Sequence, residues 1–138
     1  MKPTNYTELV TAVQDYLKRG DITSGDVDYL ITEAEEEMNA RLRVRRMLTA
    51  LTPTVSSSGA VTIPSDFGGW KRFTARDASS AWDLELMDVE QQYNVDPQYT
   101  GTGIPRALVM DGSTGQIWPY TDGSYTFRGL YYARIPNL

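Results

Sequence analysis

Hydrophobic and polar positions change their period along this chain near residue 48. Before it, apolar residues recur at spacings of three and four. Tyr6, Leu9, Val10, Val13, Tyr16 and Leu17 make one stripe and predict a helix from about Asn5 to Arg19. Gly20 follows the last periodic position and suits a left-handed cap. A second stripe of Val27, Leu30, Ile31, Ala34, Met38 and Leu42 predicts a helix from Ser24 to about Met47. Ser24 is placed to accept a hydrogen bond from an orphan amide, and Asp26 and Asp28 suit the positive end of the dipole.

After residue 48 the period falls to two. A hairpin is expected from 49–55 to 60–64 about the turn Ser56-Ser57-Ser58-Gly59. Residues 70–75 and 82–87 alternate as strands, and Asp88 is expected to cap a short helix over 88–93. Residues 106–110, 114–118 and 125–135 read as an antiparallel meander, with Asp111-Gly112 and Asp122-Gly123 as turns. Helices first and strands afterwards make an α+β fold: a helical hairpin over 1–48 and a β-rich region over 49–138, expected as one compact unit.

The length of 138 residues fits one domain, and 41 % apolar content is enough for a core. No apolar run approaches the ~20 residues that span a bilayer, and the polar start Met1-Lys2-Pro3-Thr4-Asn5 does not read as a signal peptide. The chain has no cysteine and no histidine. Disulfides, thiolate zinc sites, thiol nucleophiles and imidazole bases are therefore excluded. The net charge of −5 opposes non-specific binding to nucleic acid. It serves solubility, and equally a surface past which DNA must slide without sticking.

The chemical candidates are weak. Asp21, Asp26 and Asp28 suggest a calcium loop, but the twelfth position from Asp21 is Thr32 where such a loop needs Glu. Gly101-Thr102-Gly103 is half of a dinucleotide fingerprint, interrupted by Pro105, and reads as a flexible loop. Asp83 and Glu85 share a strand face as a carboxylate pair would, and as solvated positions do. Asn5-Tyr6-Thr7 is a sequon with meaning only in a secreted protein. No catalytic, cofactor or metal site is expected. The aromatics Trp118, Tyr120, Tyr125, Phe127, Tyr131 and Tyr132 would suit a carbohydrate-binding β module. The last strand is apolar on both faces, however, which favours packing or assembly.

Charge along the second helix is the most informative pattern. Glu33, Glu35, Glu36 and Glu37 fill its middle, and Arg41, Arg43, Arg45 and Arg46 its end. Glu37 and Arg41 can pair at i,i+4. The arginines either offset the helix dipole or meet acidic residues of a neighbouring copy in a head-to-tail contact.

In their order along the chain, Arg43-Val44-Arg45-Arg46-Met47, Ile63-Pro64-Ser65-Asp66-Phe67, Gly103-Ile104-Pro105-Arg106, Ile117-Trp118-Pro119 and the block Tyr125 to Pro136 resemble the adaptor, or head-to-tail connector, proteins of tailed bacteriophages. The resemblance implies a non-enzymatic virion protein, made in the host bacterial cytoplasm. It implies a ring, usually of twelve subunits, docked beneath the portal. Such a ring extends the DNA channel used in ejection, passes DNA without reading its sequence, and offers a surface to tail or nozzle proteins. Similar chains generally continue past the last strand into C-terminal helices. This one stops at Leu138, so either it is a fragment or its two helices find partners in the sheet or in neighbouring subunits. Expected subunit and portal contacts are Arg41, Arg43, Arg45 and Arg46, with Glu33, Glu36 and Glu37 as complements. The loops bearing Ser56, Ser57, Ser58, Tyr99 and Thr100 are expected on the tail side. A sugar-binding module of a tail fibre and a hydrolase using carboxylates alone are the other readings.

Overall fold

Residues 2–136 are described by the computed structural model. They form two compact units: 2–43 together with 134–136, and 44–133.

The first unit is helical. Helix α1 spans Tyr6–Leu17. The Asn5 side chain accepts from the Glu8 amide at 2.9 Å, and the Glu8 carboxylate reaches back to the Thr4 amide and hydroxyl at 2.8 Å each. The helix closes at Lys18 (φ 48°), whose amide donates to the Gln14 carbonyl. Gly20 was expected in that left-handed cap. The hydrogen-bonded helix runs out sooner, so a lysine adopts a conformation that glycine takes without steric cost.

Helix α2 spans Ser24–Arg41. Thr23, not Ser24, is its N-cap: the Thr23 Oγ1 accepts from the Asp26 amide at 3.2 Å while Asp26 accepts from the Thr23 amide at 2.9 Å. This reciprocal capping box satisfies two orphan donors where a lone serine would satisfy one. The helix also stops short of Met47. Leu42 is extended, and the Arg43 guanidinium donates to the carbonyls of Asn39 (3.1 Å) and Leu42 (2.7 Å), filling acceptors that a longer helix would have bonded internally. Val27 is fully buried, and the Tyr6 hydroxyl donates to Asp28 across the helix pair at 2.8 Å. Asn39, also buried, brings the last described residues into this unit. Its Oδ1 accepts from the Ile135 amide at 2.6 Å, and its Nδ2 donates to the Ile135 carbonyl at 3.3 Å.

The second unit opens with a 3-10 turn, Arg45–Met47, which leads into strand β1, Leu48–Leu51. Then follow β2 (Ala60–Val61), β3 (Phe67–Arg76), β4 (Ala81–Asp83), β5 (Glu85–Asp88), helix α3 (Val89–Val95), β6 (Thr102–Gly103), β7 (Ala107–Asp111), β8 (Thr114–Trp118), β9 (Tyr120–Thr121) and β10 (Thr126–Ala133). Among the described residues they form a four-stranded antiparallel sheet in the order β1-β10-β3-β4, a second sheet in the order β2-β8-β7-β5, and a two-stranded pair of β6 and β9. The fold is α+β, with N-terminal helices and a β-rich region.

Three expectations for the strands are corrected. The 49–55/60–64 hairpin survives only near its turn, where Val55 bridges Val61; β1 pairs instead with β10. The strand expected over 82–87 is cut at Leu84. That side chain is buried in the core, and its amide donates to the Phe73 carbonyl, so β4 and β5 enter different sheets. The expected meander is only the β7–β8 hairpin, because β10 crosses to the first sheet between β1 and β3. Two pairings, β5 with β7 and β6 with β9, are parallel. Asp88 does cap α3, in a capping box with Gln91.

The core of this unit draws Phe73, Ala75 and Phe127 from one sheet and Val61, Leu108 and Ile117 from the other, with Leu84 at the crossing. Trp70 lies over Gly129 so closely that a Cβ there would stand 2.4 Å from the ring. Glycine at 129 is therefore required by its cross-strand neighbour. Trp82 donates its indole N–H to the Pro105 carbonyl at 2.8 Å.

Candidate assembly surfaces

Each aspartate among the weak chemical candidates has a structural task. Asp21 is paired with Arg19 at 2.7 Å, and this hydrogen bond holds its carboxyl below the usual range. Asp26 is held low by its capping bonds with Thr23, and Asp28 accepts from Tyr6. Asp83 is chelated by Arg72 through two bonds, of 2.6 and 2.9 Å, which lower its carboxyl, and Glu85 belongs to the other sheet. The two carboxylates do not share a strand face as expected. Among the described residues, no group of three or more His, Cys, Asp or Glu is arranged to hold a metal ion. No helix among them is long and apolar enough to cross a membrane.

The glycine segment 101–103, expected as a flexible loop, is instead fastened. Thr102 and Gly103 pair with Tyr120 and Thr121. The Asp96 carboxylate accepts from the Gly101 amide at 3.0 Å and from the Trp118 indole at 3.1 Å. Those donors, the Gly101 amide first, hold the Asp96 carboxyl below its usual value. Tyr99 is half-buried against Tyr120, with ring centroids 5.4 Å apart, and burial pushes its hydroxyl well up. Thr100 remains exposed. At the other expected tail-side loop, Ser56, Ser57 and Ser58 are all exposed on a tight turn. That turn is closed by a bond from the Ser56 amide to the Ala60 carbonyl and by Gln116 donating to the Ser58 carbonyl.

Of the aromatics noted from residue 118 onward, Tyr120 is exposed and the others are buried or half-buried. Phe127 and Tyr131 are buried, Tyr125 meets Trp82 edge-on, and Trp118 is bound to Asp96.

The charged end of α2 divides. Arg41 pairs with Glu37 at 2.5 Å, and Glu33 accepts from the Tyr29 hydroxyl at 2.7 Å. Arg43 caps its own helix. Arg45 and Arg46 belong to the turn that opens the β unit, so they do not lie at the end of α2 as expected. Glu36 is exposed on α2. Leu30 is 48 % exposed and Met38 42 %, so much of the apolar stripe is uncovered.

A second charged surface is absent from the sequence-based expectation. On the face of the first sheet that points away from the core, Arg72 lies opposite Leu130, Thr74 opposite Arg128, and Arg76 opposite Thr126. The signal was present in the alternation of Arg72, Thr74 and Arg76 with Phe73 and Ala75, read along one strand.

The chain thus places folded capacity in a core and leaves outward surfaces that are apolar and charged by turns, the make-up of a structural part that meets other proteins. Residues 4–138 match the family model described as SU10 adaptor protein. The chain belongs to that family and is a bacteriophage structural adaptor, a virion component that assembles with portal and tail proteins. No curated protein matches it.

Proposed function

We propose that copies of this chain form a ring, of twelve subunits as the resemblance implies, at the head-to-tail junction. The ring docks on the portal, extends the DNA channel and presents a surface to tail or nozzle proteins. DNA passes without sequence-specific contact, which the net charge of −5 favours. The observation that carries the reading is the uncovered stripe of α2, with Leu30, Met38 and Leu42 all exposed beside four glutamates. A helix of 18 residues that leaves Leu30 and Met38 in water calls for a partner.

Among the expected contacts, Arg45 and Arg46 are the arginines for neighbouring subunits or the portal, with Glu33, Glu36 and Glu37 as complements. Arg41 and Arg43 serve their own helix first. The turn of Ser56–Ser58 and the exposed Thr100 beside Tyr99 are the tail-side candidates.

Electron cryo-microscopy of the chain mixed with the portal of its phage tests the reading. The expected result is a closed ring coaxial with the portal, weakened by Arg45→Glu with Arg46→Glu. A chain located elsewhere in the particle, or bound to the portal as isolated copies, would overturn it.

A further inference from the structure

Two exposed surfaces of this chain complement each other in charge and in apolar content. The first is the groove on α2 lined by Leu30, Glu33, Ala34, Glu36, Glu37 and Ala40. Leu30, Glu33, Ala34 and Glu37 follow the i, i+3, i+4, i+7 spacing of one helix face. The second is the outward face of the β1-β10-β3-β4 sheet, where a groove of about 330 Å³ is lined by Arg72, Thr74, Arg128, Gly129 and Leu130. Arg76 extends this face by one register step, opposite Thr126. Arg72 is already neutralised by Asp83. Arg76 and Arg128 are exposed and pair with no carboxylate among the described residues.

We infer that the arginine ladder of this sheet face receives the acidic α2 groove of a second copy, with Leu130 meeting Leu30 and Ala34 between the charges. The inference rests on the ring reading and assigns its subunit contact: the α2 glutamates then meet the sheet arginines of the neighbour, and Arg45 and Arg46 are left to the portal. One surface is a helix and the other a sheet, so the contact is heterologous, the type that closes into rings. DNA is the weaker occupant: two free arginines would release about two counterions, too few for firm binding by a chain of net charge −5. Against a glutamate-rich helix the same two charges sit at the rim of an apolar contact, where they set register and exclude wrong partners.

The absence of native cysteine makes the test direct. Full-length chain carrying Ala34→Cys and Leu130→Cys is assembled on the portal, oxidised and run on a non-reducing gel. The expected product is a ladder of covalently linked subunits, which neither single variant gives. Separately, Arg76→Glu with Arg128→Glu is expected to lower the assembled fraction on the order of tenfold, as like charges come to face each other. Glu33→Lys with Glu36→Lys should do the same, and mixing the two variants should restore assembly. If wild-type chain forms no ring on the portal, the ring reading falls and this inference with it. If the ring forms without a ladder and tolerates both charge reversals, the ring reading stands and this pairing is overturned. Duplex DNA retention that falls in Arg76→Glu/Arg128→Glu while assembly holds would assign the ladder to DNA and also overturn it.

Discussion

The helical unit and the β unit solve the problem of burial differently. In the β unit, seven side chains from two sheets and their crossing make one core, with half-buried residues such as Trp70, Trp82 and Met110 packed around it. In the helical unit, α1 has no fully buried residue, and α2 has only Val27 and Asn39. Helices of this length are marginal in water without tertiary packing. The β unit therefore buries a core within itself, while the described helices leave most of their side chains uncovered.

The largest expected effect separates the two by truncation. Phe73→Ala removes a fully buried ring and should destabilise the β unit by about 3–5 kcal/mol, whereas Leu30→Ala on the exposed face of α2 should change stability by less than about 0.5 kcal/mol. Urea unfolding of the two variants checks this; equal losses would show that the α2 stripe is part of the core after all. A smaller effect is expected at the start of α2. Thr23→Ala deletes half of the capping box and should cost about 1 kcal/mol, read as lost protection of the first-turn amides in hydrogen exchange, with β3 and β10 amides unchanged.

The smallest effect concerns acid. Because the folded state depresses the Asp96 carboxyl, its stabilising contribution is present in full above the ordinary aspartate value near 3.9. It is lost as pH falls through the lower folded value. The Trp118 indole N–H resonance should therefore titrate below the ordinary aspartate range and cease to titrate in Asp96→Ala. A midpoint at or above the ordinary value would remove the assigned role of the Gly101 and Trp118 donors.

Local signals carried far into the structure, and pairing partners did not. Apolar spacing marked α1 and α2, and Asp88 marked α3, because stripes and caps are written within a few neighbouring residues. The end of α2 was misread because Arg43 folds back on its own carbonyls, an act no periodicity records. The partner of β1 was misread because the turn at 56–59 suggested a local hairpin, while the true neighbour is β10, near the other end of the chain. Buried Asn39 gives no hint in the sequence that it binds Ile135, since its role exists only once the C-terminal segment arrives. The arginine ladder was legible in β3 alone, but Arg128 joins it only through the β10–β3 register.

The three tryptophans, Trp70, Trp82 and Trp118, all lie in the β unit, and the helical unit has only tyrosines among its strong chromophores. Emission excited at the red edge of the absorption band therefore watches one half of the molecule and is blind to the other, while circular dichroism at helical wavelengths weighs the other half more heavily. Melting curves from the two signals would superimpose only if the halves come apart together, so natural optics already divide this chain without a label.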